Sequence, residues 1–158
     1  MIRSGESVEL PIGSVSETAE RIARQAHQGQ HDKAGAEYID HPARVAGLLT
    51  ARGWAQEVVA AGWLHDVLED TDWTEARLKA AGMPGETVRL VRAMTRTAGQ
   101  SPGDYYAGLV TAGPAAVAVK TADIDDNTDP PRLSLLEPAV RAHLMAKTAT
   151  ARGAPAPD

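Results

Sequence analysis

The chain has 158 residues, a length that fits one domain with its own hydrophobic core. It contains no cysteine, which excludes disulfides and thiolate metal sites, so any metal would need His, Asp or Glu ligands. The net charge of -5 and the lack of a basic run argue against a nucleic-acid scaffold. No segment approaches the roughly 18 apolar residues of a membrane span. We therefore expect a soluble, unprocessed, cytoplasmic protein without nucleic-acid or membrane partners.

Apolar residues recur at intervals of three and four along the chain, which predicts an all-α fold. Ser14 and Glu17 have the spacing of a capping box and predict a first helix that runs to about His27. Pro42 is suited to be the first residue of a second helix, and Gly53 is suited to end it.

The third predicted helix is continuous from about Gln56 to Glu69, and a capping box of Asp72 and Glu75 then predicts a short helix that ends at Gly82. Four more helices are predicted by proline positions and apolar spacing. They begin at Pro84, at about 102, at about 114 and, after a Pro-Pro break, at about 132, and the last three end near 112, 126 and 150.

These elements predict one domain over residues 14–152. Residues 1–13 are expected to form an N-terminal extension, and residues 153–158 a disordered tail.

Residues 63–71, with the sequence WLHDVLEDT, carry one histidine and three carboxylates in an otherwise apolar run. On a helix, residues four apart share a face, so His65 would lie over Glu69 and Asp66 over Asp70. No lysine or arginine occurs in this stretch or immediately before it. Partly buried carboxylates without a cation are costly, and the usual remedies are protonation or a bound metal ion. We favour a metal ion.

Two further segments carry similar chemistry. In residues 38–42, His41 stands at a helix start, from which an imidazole can point into a bundle. In residues 119–127, Asp123 begins a second acidic face, and no cation follows Lys120 there. Two imidazoles and two carboxylates suit Mn, Fe, Zn or Mg with positions left open for water, which predicts a hydrolytic site. The candidate ligands are His41, His65, Asp66 and Asp123.

Each of these residues also has a simpler interpretation. The pair His31-Asp32 is a second HD dipeptide, and it falls in a loop, where exposed histidines are ordinary. His41 alone could be a helix-end residue, and Asp66 or Asp70 alone could be a solvated helix end. Only their combination favours a metal site.

Three blocks of sequence, at 38–42, 64–71 and 120–127, resemble in order and spacing the motifs of the HD superfamily. The closest branch is the RelA/SpoT-type (p)ppGpp hydrolase domain with its small stand-alone relatives, and the resemblance spans roughly residues 17–130. It implies one metal, usually Mn²⁺ in this branch, with Fe, Zn or Mg as alternatives. It also implies that Glu69 and Asp70 orient or activate water. The implied metal ligands are His41, His65, Asp66 and Asp123.

The same resemblance implies a nucleotide substrate, from which pyrophosphate is removed at the 3′ position. Asn127 matches the family position that contacts the nucleotide, and Lys33 is the residue retained from the family's Arg-Lys-Ser-like run. Lys120 and Arg44 are further candidate substrate-binding residues, together with Arg132.

Three hypotheses follow. The first is a metal-dependent phosphohydrolase that acts on (p)ppGpp, another nucleotide or another phosphorylated metabolite. The second is a module that binds a metal and a nucleotide without cleaving it, and the third is a structural helical protein. For the fold we expect a single all-α HD-type domain of seven to eight helices, with the site where the second, third and seventh predicted helices meet.

Overall fold

The computed structural model describes residues 14–128, and this part of the chain is helical, with eight α-helices and no β-strand. The all-α prediction is therefore confirmed. None of the helices in this range combines the length and apolarity needed to cross a membrane. The helices are α1 (Val15–Ala26), α2 (Asp40–Ala51), α3 (Gln56–Leu64), α4 (Val67–Asp70), α5 (Glu75–Ala80), α6 (Gly85–Met94), α7 (Pro102–Ala112) and α8 (Pro114–Asn127).

Local capping explains where several helices begin and end. Both bonds of the predicted capping box are present, since Ser14 Oγ accepts from the backbone N–H of Glu17 at 3.1 Å and the Glu17 carboxylate accepts from the N–H of Ser14 at 2.9 Å. Gly53 follows α2 with a φ of +85°, a left-handed conformation that glycine adopts without strain. The predicted bounds of α7 are confirmed, and α8 ends one residue later than predicted.

The start of α2 and the cap of α5 differ from the predictions. α2 begins at Asp40, two residues before Pro42, because the carbonyl of Ile39 already accepts from the N–H of Ala43. Pro42 is accommodated in the first turn, where no N–H is required. For α5 the N-cap is Thr74, whose Oγ1 accepts from the N–H of Arg77 at 3.1 Å.

We predicted a third helix that is continuous from about Gln56 to Glu69, and this prediction is wrong. The helix is interrupted at His65 and Asp66, between α3 and α4. Adjacent residues on an α-helix point about 100° apart, so an unbroken helix would turn these two side chains away from each other. At the break Asp66 has φ −105° and ψ 1°. This distortion lets both side chains face the same point, and the carbonyl of Asp66 still accepts from the N–H of Asp70 at 2.9 Å.

α3 is the central helix, and it packs against α1, α2, α6 and α8. Its contact with α2 is close at Gly62, where an added Cβ would lie 2.7 Å from Cδ1 of the buried Leu49 and 3.3 Å from Cα of Ala46. α8 packs against α2 and α3, so the start of α2, the α3–α4 break and the middle of α8 are neighbours. The extension, the last predicted helix and the tail lie outside the described residues.

Candidate metal centre

The four predicted metal ligands converge, although they come from three separate elements. The ligand atoms of His41, His65 and Asp66 lie within 4.8 Å of one another. Oδ1 of Asp123 lies 2.8 Å from Nε2 of His41 and 3.3 Å from Nε2 of His65. Both histidines and Asp123 are buried. This cluster of side chains lies between α2, the break between α3 and α4, and α8.

The orientation of His65 shows that this group of residues fits a cation. Nδ1 of His65 donates to the carbonyl oxygen of Gly62 at 2.8 Å, which leaves Nε2 of a neutral ring with a lone pair. Nε2 is fully buried and makes no hydrogen bond within residues 14–128, yet it lies 3.1 Å from Oδ2 of Asp66 and 3.3 Å from Oδ1 of Asp123. A lone pair facing carboxylate oxygens is stabilised only by a proton or a metal ion between them.

The pKa values of three of these groups support the same conclusion. Burial by itself would lower the pKa of His65, but the carboxylates of Asp66 and Asp123 hold it well above its usual value. Burial would raise the pKa of Asp66, but the charge of His65 lowers it to about 2. The pKa of Asp123 is also lowered, because His65, His41 and Lys120 outweigh the effect of burial. The centre therefore strongly favours positive charge between its carboxylates.

His41 is supported from behind by a carboxylate that we did not predict. Nδ1 of His41 donates to Oδ2 of Asp126 at 2.6 Å, and Nε of Arg44 donates to Oδ1 of the same residue at 2.7 Å. A carboxylate that holds the second nitrogen of a metal-ligating histidine fixes its tautomer and ring orientation. The signal was present in the sequence, because Asp126 lies three residues after Asp123 and so shares its helix face.

Asp66 is supported in the same way by Tyr38, which we also did not predict as a site residue. The Tyr38 hydroxyl donates to Oδ2 of Asp66. The ring of Tyr38 lies 4.9 Å from the ring of the buried His27, and His27 Nδ1 donates to Oε1 of Gln30 at 3.0 Å. Nε2 of Gln30 in turn donates to the carbonyl oxygen of Asp70 at 3.3 Å. The loop after α1 is thus tied to both ends of α4.

Cations lie beside the acidic face of α8. This corrects our expectation that no positive charge balances the carboxylates of that face. Nζ of Lys120 lies 3.1 Å from Oδ2 of Asp123, and Arg52 lies 2.8 Å from Asp125. Lys120 is buried against the rings of Tyr105 and Tyr106, and its pKa is raised because the charge of Asp123 outweighs burial. No local sequence pattern indicates the contact between Arg52 and Asp125, because the two residues are 73 positions apart.

Glu69 and Asp70 are exposed on α4, next to the metal centre. Partial desolvation and the charge of Asp66 raise the pKa of both carboxyls. For Glu69 the backbone N–H and the positive charge of Arg96 oppose the increase. Carboxylates with raised pKa values are better proton acceptors, as the predicted role of activating water requires.

The four candidate substrate-binding residues have different environments in the structure. Lys120 and Arg44 are bound to Asp123 and Asp126, as described above. Nδ2 of Asn127 lies 3.3 Å from Oδ1 of Asp123, next to the centre. Lys33 is exposed in the loop after α1.

In the same loop, Oδ1 of Asp32 accepts from the backbone N–H groups of Ala34 and Ala36 at 2.9 and 3.0 Å. His31 beside it is exposed. The second HD dipeptide therefore shapes this loop, in agreement with its simpler interpretation.

Comparison with known families agrees with this geometry. The family model described as HD domain matches residues 19–102, which is more than half of the chain. The chain belongs to the HD domain family. HD domains bind divalent metals, and His41, His65 and Asp66 of this HD domain form a group that could hold one.

Curated relatives are guanosine-3′,5′-bis(diphosphate) 3′-pyrophosphohydrolases. The protein of that name from Aquifex aeolicus is 34% identical over 136 residues, which cover 77% of this chain and 19% of the relative. The one from Haemophilus influenzae is 48% identical over 58 residues, or 37% of this chain and 9% of the relative. The chain thus spans less than a fifth of the length of these relatives.

A solved structure, of a metazoan ortholog of SpoT that hydrolyses ppGpp, has the same fold. It aligns with a TM-score of 0.75 at 20% sequence identity, over 91% of this chain and 86% of that one. The prediction of an HD-type helical fold is confirmed.

Proposed function

We propose that the protein is a metal-dependent phosphohydrolase that removes the 3′-diphosphate from (p)ppGpp, with Mn²⁺ as its metal. The observation that carries the proposal is the convergence of two buried histidines and two carboxylates around a nitrogen, Nε2 of His65, that no protein group satisfies within residues 14–128. The names and functions of the relatives and of the structural neighbour support this choice of substrate.

His41, His65, Asp66 and Asp123 would hold the metal. A divalent metal bound there lowers the pKa of water and polarises a phosphoryl oxygen. The residues behind the ligands fix their orientation: Asp126 holds His41, Tyr38 holds Asp66, and Lys120 holds Asp123.

Glu69 and Asp70 would act on the attacking water. Their carboxylates project from α4 directly after Asp66, and their raised pKa values suit them to take up the water proton. In the reaction, the water oxygen forms a bond to phosphorus and the bond from phosphorus to the 3′ oxygen breaks. Diphosphate is released, and the ribose oxygen takes up a proton. Asn127 beside Asp123 would contact the nucleotide.

Hydrolysis of a different phosphorylated metabolite is the second candidate. This candidate is favoured because Lys120 and Arg44 form ion pairs with carboxylates of the centre. A cation that is already ion-paired has fewer donors left for a highly charged guanosine tetraphosphate.

The experiment is a hydrolysis assay with added Mn²⁺ on ppGpp, pppGpp, NADPH and common nucleoside mono- and triphosphates. We expect release of diphosphate from ppGpp, its loss in Asp66→Ala, and its loss on removal of the metal with a chelator. Asp66→Asn keeps an acceptor for Tyr38 and should also be inactive if the negative charge is what binds the metal.

Asp72→Ala is the matched control, because Asp72 is an exposed carboxylate six residues further along the chain. It should retain wild-type activity. Turnover of another compound in the panel would support the second candidate instead. No turnover of any compound by metal-loaded protein would contradict both and favour a binding module.

A further inference from the structure

Most cations beside the metal centre already hold carboxylates. Lys120 binds Asp123, and Arg44 binds Asp126. A phosphorylated substrate brings several negative charges to a centre that is itself rich in carboxylates. Binding it requires a cation that faces the centre and has donors to offer.

Arg96 is a cation near the centre that has donors to offer. It lies in the loop between α6 and α7, partly buried, with its guanidinium carbon 4.8 Å from the centre of the Tyr105 ring. Nζ of Lys120, which binds Asp123, lies 5.1 Å from the centre of the same ring. The backbone N–H and the positive charge of Arg96 also act on the carboxyl of Glu69, where they oppose the rise of its pKa. Arg96 therefore lies near a candidate catalytic carboxylate, and it shares the Tyr105 ring with the lysine that binds Asp123.

Within residues 14–128, the guanidinium of Arg96 makes no hydrogen bond and no ion pair shorter than 4.0 Å, although its charge acts on the carboxyl of Glu69. Two arginines of the neighbouring helix α6 are, in contrast, paired with carboxylates. Arg89 holds Glu86 at 2.9 Å, and Arg92 holds Glu75 at 2.6 Å. Arg96 instead stacks on an aromatic ring, which orients the planar group and leaves the N–H donors at its edge available.

The loop that carries Arg96 is anchored on both sides. The hydroxyl of Tyr105 donates to the carbonyl of Met94 at 2.7 Å, and the side-chain oxygen of Gln100 accepts from the N–H of Thr97 at 3.1 Å. Thr95 Oγ1 donates to the carbonyl of Val91 at 2.8 Å. A donor on such a loop loses little conformational entropy when it binds a ligand.

We propose that Arg96 forms an anion subsite of this centre and that it binds the diphosphate group of the substrate next to Glu69. The inference rests on the proposed function in taking the bound group to be a diphosphate. Water oriented by Glu69 attacks this group. Arg96 therefore contacts the group that is released as inorganic diphosphate, and it does not contact the nucleoside diphosphate, which is the other product.

The test compares Arg96→Ala and Arg96→Lys with wild type during ppGpp hydrolysis, and uses both products as inhibitors. Loss of a charge-assisted, two-pronged contact should raise the inhibition constant of inorganic diphosphate about 10- to 100-fold in Arg96→Ala. Inhibition by GDP should change less than about twofold. Arg96→Lys keeps the positive charge but not the planar guanidinium group, and it should recover only part of the lost affinity for diphosphate.

Arg77→Ala is the matched control. The guanidinium of Arg77 also stacks on an aromatic ring, 4.0 Å from the centre of Trp73, but it is exposed on α5. This variant should behave as wild type. Thermal unfolding of each metal-loaded variant checks that the fold is retained.

Binding is also measured without turnover, by calorimetry with the preformed magnesium complex of inorganic diphosphate. Weaker binding in Arg96→Ala than in wild type and Arg77→Ala would support the subsite even if ppGpp is not cleaved. Equal binding in all three, or no binding by wild type, would overturn it even if ppGpp is cleaved. A lower kcat with unchanged diphosphate binding would show that Arg96 only positions Glu69, and would overturn it as well.

Discussion

Asp126 offers the sharpest test of how the metal centre is organised, because nothing in our sequence analysis marked it as a site residue. Its carboxylate accepts from Nδ1 of His41 at 2.6 Å and from Nε of Arg44 at 2.7 Å. Asp126→Ala leaves His41 free to rotate and to change tautomer. Loss of such a supporting carboxylate typically weakens metal binding 10- to 100-fold, which corresponds to about 1.4 to 2.7 kcal/mol.

The same substitution should lower stability even without metal. The buried His41 loses its acceptor, which costs about 1 to 3 kcal/mol, while Arg44 is 38% exposed and can bind water instead. The assays are calorimetric titration with Mn²⁺ and urea denaturation in the presence of a chelator. Together they separate the loss of metal affinity from the loss of stability.

Asp125→Ala is the control, because Asp125 is the preceding carboxylate on α8 and pairs with Arg52, which is 40% exposed. Exposed ion pairs contribute about 0 to 1 kcal/mol, and Arg52, the partner in this pair, is not a candidate metal ligand. Its Mn²⁺ affinity should equal that of wild type. If Asp126→Ala also binds Mn²⁺ within about threefold of wild type, the supporting role of Asp126 is refuted.

Two further predictions concern packing and pH. Gly62→Ala places a Cβ against α2 in a filled core. The cost of overpacking, about 1 to 3 kcal/mol, should outweigh the gain of about 1 kcal/mol in helix propensity, so the variant should be less stable. Urea denaturation that shows a more stable variant would contradict this prediction. Metal affinity should fall as pH is lowered, and the fall should begin above the ordinary pKa of a histidine. The reason is that the carboxylates of Asp66 and Asp123 hold the pKa of His65 well above its usual value, against the effect of burial, and its proton must leave before the metal binds. Calorimetry in buffers of different ionisation enthalpy would show this proton release, and an affinity independent of pH would contradict it.

The sequence by itself determined the helical class and most helix bounds. Capping boxes, prolines and the spacing of apolar residues act within one or two turns, so the chain near Ser14 and the bounds of α7 could be predicted without knowledge of the fold. The four candidate ligands could also be proposed from the sequence, because partly buried carboxylates without nearby cations are costly unless they are protonated or bind a metal ion.

Only the tertiary structure decided how these ligands are held. The bond from His41 to Asp126 joins residues 85 positions apart, and no local pattern encodes such a pairing. The break of the helix at His65 and Asp66 likewise overrides a continuous helical pattern. Both side chains face one centre there, where Asp66 accepts from Tyr38 and His65 lies beside the α8 carboxylate. Contacts that act across the fold, through burial and charge, set the geometry that the sequence could only outline.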